Sequence, residues 1–126
     1  MSYARRIAVT VTTIADGSAT AYSEPIDYGL ISQIRYAKAS SGNFDDGVDF
    51  TITLETTGET VWTESDVNVS ATRAPRQATH STAGVASLYA ATFAVTDKIV
   101  IVQDRIKIVI ASGGSVRTGT FYFLLT

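Results

Sequence analysis

Three stretches of this chain alternate with a strict period of two. Phe50, Ile52 and Leu54 interleave with Thr51, Thr53 and Glu55; Ile106, Ile108 and Ile110 with Arg105, Lys107 and Val109; and Phe121, Phe123 and Leu125 with Tyr122 and Leu124. A period of two sends successive side chains to opposite faces of a pleated strand, whereas a helix repeats every 3.6 residues. Each stretch is therefore expected to be a strand with its first set of residues inward. In the last one the second set is also largely apolar, which predicts cover on both faces, as in a sandwich or at a subunit contact.

The rest of the chain supports the same class. Threonine, valine, isoleucine and aromatics dominate, and these residues suit a pleated surface better than a helix. Ile7, Val9 and Val11 alternate with small or polar residues up to Asp16-Gly17, turn chemistry that predicts a first hairpin returning through Ser18 to Ser23. An extended run from Gly29 to Ala39 ends in the turn formers Ser40-Ser41-Gly42-Asn43. Val61-Trp62 and Val67 with Val69 suggest two short strands, and Ile99 to Ile110 reads as a β-branched run closed by a hairpin turn at Gly113-Gly114. Residues 70–83 are small and polar around Pro75 and are expected to form a long exposed loop. Residues 84–95 fit neither period, leaving helix and strand both open. Seven or eight short strands without strand-helix alternation predict an all-β antiparallel sandwich, jelly-roll-like, with a long polar loop near residues 70–83. At 126 residues, one domain spanning 1–126 is expected, since two would each lack a substantial core.

Charge and cysteine content narrow the function classes. Ten basic and twelve acidic residues leave a net charge of -2, so no overall field attracts nucleic acid or an anionic membrane. The absence of cysteine removes disulfides, thiolate metal sites and thiol nucleophiles. No export signal is visible, and the most apolar stretch, Ile99 to Ala111, carries Gln103, Asp104, Arg105 and Lys107, short of the roughly 20 apolar residues of a membrane span.

Candidate chemistry is sparse. His80 is the sole histidine; Ser81 follows it, but it lies in the expected loop and no Gly-x-Ser-x-Gly elbow is present to hold a nucleophile. Asp45, Asp46 and Asp49, with Asn43 around Gly47, are oxygen donors that could hold a hard cation, although no distal glutamate completes a calcium loop. Glu55 with Glu64 is a conceivable carboxylate pair for glycoside hydrolysis, with no cleft signal beside it. No phosphate-binding or cofactor fingerprint is present, and neither a catalytic residue nor a cofactor is expected. The most informative local feature is Arg73, Pro75, Arg76 and His80, which give the loop a positive face. A proline-stiffened loop with two guanidiniums can reach across a subunit boundary and pair with carboxylates. Trp62 and the tyrosines could join such a contact or form a sugar-stacking platform.

The run from Phe50 to Thr60, the segment Thr72-Arg73-Ala74-Pro75-Arg76-Gln77-Ala78-Thr79-His80, and the end from Arg105-Ile106-Lys107-Ile108 through Gly113-Gly114 to Gly119-Thr120-Phe121 resemble small proteins encoded among the virion genes of tailed bacteriophages. Those stretches make up under a third of the chain. The resemblance implies a non-enzymatic decoration or cement protein, made in the host cytoplasm, that sits on the capsid surface of the virion and bridges copies of the major capsid protein or other virion proteins. A homo-oligomer, with a trimer favoured, would follow, its contacts oriented by Arg73 and Arg76 and with no nucleic acid or membrane as partner. A head-to-tail connector or tail component shares the expected fold class. A carbohydrate-binding module using Trp62, tyrosines and a cation at Asp45, Asp46 and Asp49 is the alternative from a different class; an enzyme ranks last.

Overall fold

The computed structural model describes residues 4–126 and contains strands and no helix among them. Eight strands build the body: β1 (Arg5–Thr12), β2 (Ala19–Tyr22), β3 (Ile26–Lys38), β4 (Asp49–Leu54), β5 (Thr60–Glu64), β10 (Thr96–Asp104), β11 (Ile106–Ala111) and β12 (Thr118–Leu125). Four short ones, β6 (Ala71–Arg73), β7 (Arg76–Ala78), β8 (Leu88–Ala90) and β9 (Phe93–Ala94), lie between β5 and β10. The first sheet runs β1-β12-β3-β10-β7, with β6 also on β3; the second runs β2-β11-β4-β5. Every paired strand is antiparallel. Counting only the body strands in chain order, the sheets read 1-8-3-6 and 2-7-4-5, which is the strand order of a jelly roll.

Alternation makes the core. Phe50, Ile52, Leu54, Ile106, Ile108 and Ile110 of the second sheet and Phe121, Phe123 and Leu125 of the first are all buried, as their period requires, in one continuous cluster with Ile7, Val9, Val11, Ile31, Ile34, Ile99 and Ile101 of the first sheet. At one end the filling is aromatic. Tyr36 packs at 4.8 Å from Phe50 and 5.3 Å from Phe121, and Trp62 lies 5.4 Å from Phe50 at 77°, the edge-to-face geometry that suits aromatic quadrupoles. These rings crowd the backbone of β12 so closely that a Cβ on Gly119 would fall 2.5 Å from Phe44, and only glycine fits there. The Tyr36 hydroxyl is buried without a hydrogen-bond partner, and burial pushes its pKa up.

Several local expectations are corrected by the topology. β1 and β2 are not a hairpin: β1 pairs with β12 in the first sheet and β2 with β11 in the second, so the Asp16-Gly17 turn carries the chain between sheets. Gly113-Gly114 likewise is not a hairpin turn, since β11 and β12 belong to different sheets. Both turns meet at one end of the sandwich. The Gly113 amide donates to the Gly17 carbonyl (2.9 Å), the Asp45 amide to the Gly113 carbonyl (3.0 Å), and the buried Thr13 hydroxyl to the Gly114 carbonyl (2.6 Å). The run from Ile99 to Ile110 is two strands that change sheets at Asp104 and Arg105, with Gln103 at positive φ (47°). Val67 is buried and Val69 exposed, but neither lies in a strand.

Asp104 explains how that crossing is held. Its Oδ1 accepts from the Thr56 amide (3.0 Å) and the Arg105 amide (2.8 Å), while Oδ2 is buried without a partner. Burial by itself would raise the carboxyl pKa; the N–H groups that Thr56 and Arg105 donate to it counter burial, and the pKa is held below the usual range. Beside it, Arg105 pairs with Glu55 and stacks 3.9 Å over the Tyr22 ring.

The expected long loop at 70–83 contains two short strands. Residues 71–73 pair with Ile34 to Tyr36 of β3, and residues 76–78 with Thr96 to Lys98 of β10. Residues 84–95 are strand and turn, not helix, with β8 and β9 paired as a small two-stranded sheet.

Candidate assembly interface

The residues singled out in the sequence fall into three environments. Asp45, Asp46 and Asp49 do not converge. Asp45 pairs with Arg117 (3.6 Å), Asp46 with Lys38 (3.7 Å), and Asp49 Oδ1 accepts from the Asp66 amide (3.1 Å). Among the described residues no three His, Cys, Asp or Glu side chains form a group able to hold a metal ion.

Arg73, Arg76 and Trp62 are engaged within the chain. The Arg73 guanidinium makes a fork to Glu64, with Nε donating to Oε1 and Nη2 to Oε2, both at 2.8 Å, and lies 5.9 Å over the Trp62 ring. Trp62 Nε1 donates to the same Glu64 Oε1 at 3.0 Å. This hydrogen-bonded carboxylate is held below the usual range, first by Arg73 and then by Trp62, against the opposing effect of burial. Trp62 is only 6% exposed and offers no sugar-stacking platform, which corrects both surface roles expected of it. Arg76 does something else. In the register of β12 against β3, Leu124 faces Gln33 and Leu125 faces Ile31, so Ser32 is an extra, bulged residue. Arg76 Nη1 donates to the Ser32 carbonyl (3.1 Å), to the Pro75 carbonyl (2.9 Å) and more weakly to that of Ile31 (3.4 Å), tying the bulge to the half-buried Pro75 turn. Glu55 and Glu64 each hold a different arginine and form no carboxylate pair.

His80 opens a region of a different kind. From residue 79 to 97 no side chain is buried. The chain leaves β7, turns through Ser81 to Val85, runs out along β8, returns along β9 and enters β10. Three segments are laced together at its root: the Thr79 amide donates to the Val95 carbonyl, Val95 to Ser87 and Ser87 to Thr79, each at 2.9 Å. The Ser81 hydroxyl accepts from the Ala83 and Val85 amides and so caps the turn, and Gly84 supplies its positive φ (77°). His80 is exposed and bridges through its backbone to Ala86. This arm has backbone order without a core. From Gln77 to Thr96 it has no Asp, Glu, Lys or Arg, and it exposes Val85, Leu88, Tyr89, Phe93 and Val95, with Tyr89 and Phe93 stacked at 5.7 Å.

A second apolar surface lies on the outer face of the first sheet. Ile99 and Ile101 point inward, which sends Val100 and Val102 outward; opposite them in register stand Leu30 and Tyr28. Tyr28, Val100 and Val102 are exposed and Leu30 is half-buried. Further across the same face, Arg6, Gln33, Arg35, Tyr122 and Leu124 line a shallow depression of about 50 Å³. Arg6 sits 5.6 Å over the Tyr122 ring, and among the described residues neither Arg6 nor Arg35 has a carboxylate partner. Sequence reasoning missed both surfaces. The signals it could have used were the charge-free run from Gln77 to Thr96 and the outward partners of the β10 and β12 core residues.

No protein-family model matches the chain, and no curated protein matches it. A solved structure titled "Crystal Structure of FLHE" matches over 98% of this chain and 98% of that one, at 11% identity and a TM-score of 0.46, a likeness too distant to bear on function.

Proposed function

We propose that this chain is a non-catalytic virion structural protein, a decoration or cement protein that binds the major capsid protein and stabilises the shell at the virion surface. The observation that carries the assembly part of this reading is the arm of residues 79–95, which exposes apolar and aromatic side chains on a hydrogen-bonded scaffold without a core of its own. Contiguous exposed apolar surface of this kind marks a contact with another macromolecule. The virion as the place of assembly rests on the resemblance of residues 50–60, 72–80 and 105–121 to phage virion proteins.

The Arg6, Tyr122 and Arg35 face supplies the charged contact in this reading, because guanidiniums without internal carboxylates can donate forked bonds to acidic groups on a shell. Arg73, forked to Glu64, and Arg76, bonded through Nη1 to the Ser32 carbonyl, hold the strands that frame it. The test is co-sedimentation with shells lacking the protein. Stoichiometric binding that is lost in Arg6→Glu with Arg35→Glu supports the reading; failure of the unmodified chain to bind shells overturns it. A connector or tail component is tested by the same assay run with tail and connector fractions.

A further inference from the structure

We infer that the occupant of the arm is a second copy of this chain: the 79–95 arm of one protomer seats on the Tyr28, Leu30, Val100 and Val102 strip of the next. This rests on the assembly reading above and names its partner. Three observations lead to it. The arm is uncharged from Gln77 to Thr96 and presents Leu88, Tyr89 and Phe93, so its complement must be an apolar surface with few charges. The same chain carries such a surface, with Val102 at 59% exposure and Tyr28 at 52%, in the two neighbouring strands β10 and β3. The geometry then separates the two within one molecule. Ala78 pairs with Thr96 and the arm extends beyond that pair, whereas Val102 lies six residues along β10 in the other direction, roughly 20 Å away at the rise of a strand. An arm therefore points away from its own strip.

Two different patches that fit each other make a heterologous contact, which closes into a ring when the rotation per copy permits and otherwise grows into a filament. The exposed faces of the arm and strip aromatics and valines together offer on the order of 700 Å² of apolar surface, which with a polar rim reaches the lower range of a standard interface. Docking also gives the arm the core that it lacks alone.

A heterologous interface can be tested by complementation. Tyr89→Asp with Phe93→Asp spoils the arm and leaves the strip; Val100→Asp with Val102→Asp spoils the strip and leaves the arm. The unmodified chain is expected to be oligomeric by light scattering and each variant monomeric, while an equimolar mixture of the two forms a 1:1 dimer that grows no further. A monomeric unmodified chain, unchanged mass in either variant, or a mixture that stays monomeric overturns the inference. Circular dichroism checks that the variants fold. If one does not, the cysteine-free background permits a milder version, Phe93→Cys with Val102→Cys in one chain. Oxidation should then link copies covalently into the native oligomer, and purely monomeric product counts against the contact. Shell co-sedimentation separates the two readings: rings that ignore shells sink only the capsid role, and a monomer that binds shells sinks only this contact.

Discussion

The sandwich and its arm are built from the same kinds of residue and hold their shape in different ways. In β11, Ile106, Ile108 and Ile110 are completely buried and their strand is paired on both edges, by β2 and β4. In the arm, Leu88, Tyr89 and Phe93 are at least half exposed, and the structure rests on backbone hydrogen bonds and the turn capped by Ser81. A hydrogen bond that exchanges for one with water contributes only about 1 kcal/mol, while a buried large apolar side chain contributes about 1.5–3 kcal/mol. The comparison teaches that backbone pairing can shape a segment whose stability must come from elsewhere.

The largest expected effect breaks this contrast directly. Phe121→Ala should cost about 3–5 kcal/mol, because a ring in contact with Tyr36, Phe50 and Trp62 leaves a cavity that cannot collapse. Phe93→Ala in the dilute, unassembled chain should change stability by less than about 0.5 kcal/mol. Urea unfolding of both measures the difference, and similar costs would mean that the arm is already part of the core. Next comes Asp104→Ala, expected to cost about 1–3 kcal/mol, since it leaves the Thr56 and Arg105 amides without their acceptor where the chain changes sheets. Arg76→Ala should cost about 1 kcal/mol by releasing the carbonyls of the Ser32 bulge, read from the same unfolding curves.

Acid should remove carboxylate stabilisation from the sandwich and not from the arm, which has no carboxylate between Gln77 and Thr96. Asp104 and Glu64 have folded-state pKa values below their ordinary ones, so their stabilisation is fully present above the unfolded values of about 4 and is lost as pH falls through the lower folded values. Thermal unfolding followed from pH 6 downward should show this acid loss. Glu64→Gln should flatten part of it while costing under about 1 kcal/mol near neutrality, because its pair with Arg73 is partly exposed. The smallest effect is at Tyr36. Tyr36→Phe removes a buried hydroxyl without a partner and should leave stability unchanged or raise it by about 1 kcal/mol, measured by the shift in unfolding midpoint.

The candidate site was less legible in the sequence than the fold. Arg73 and Arg76 stand out in a linear reading because they flank a proline in a polar stretch, yet Glu64 and the Ser32 carbonyl, which engage them, are distant in sequence. Trp62 reads as a candidate for contact until Phe50, Phe121 and Arg73 are packed around it. Conversely, Tyr28, Val100 and Val102 look like ordinary strand residues. Only the β3 and β10 register brings them side by side on an uncovered face.

What the sequence by itself determined is the inward set of each long strand, because a pleated backbone alternates its side chains whatever it pairs with. Fold class and most core residues follow from that local rule. Which strands pair, and which turns cross between sheets, was decided by the tertiary structure. Asp16-Gly17 and Gly113-Gly114 carry ordinary hairpin chemistry, and yet each passes the chain from one sheet to the other, where Gly113 bonds to Gly17. The physical reason is range: turn propensity acts over about four residues, while strand partners are chosen by how the whole apolar set can be buried at once.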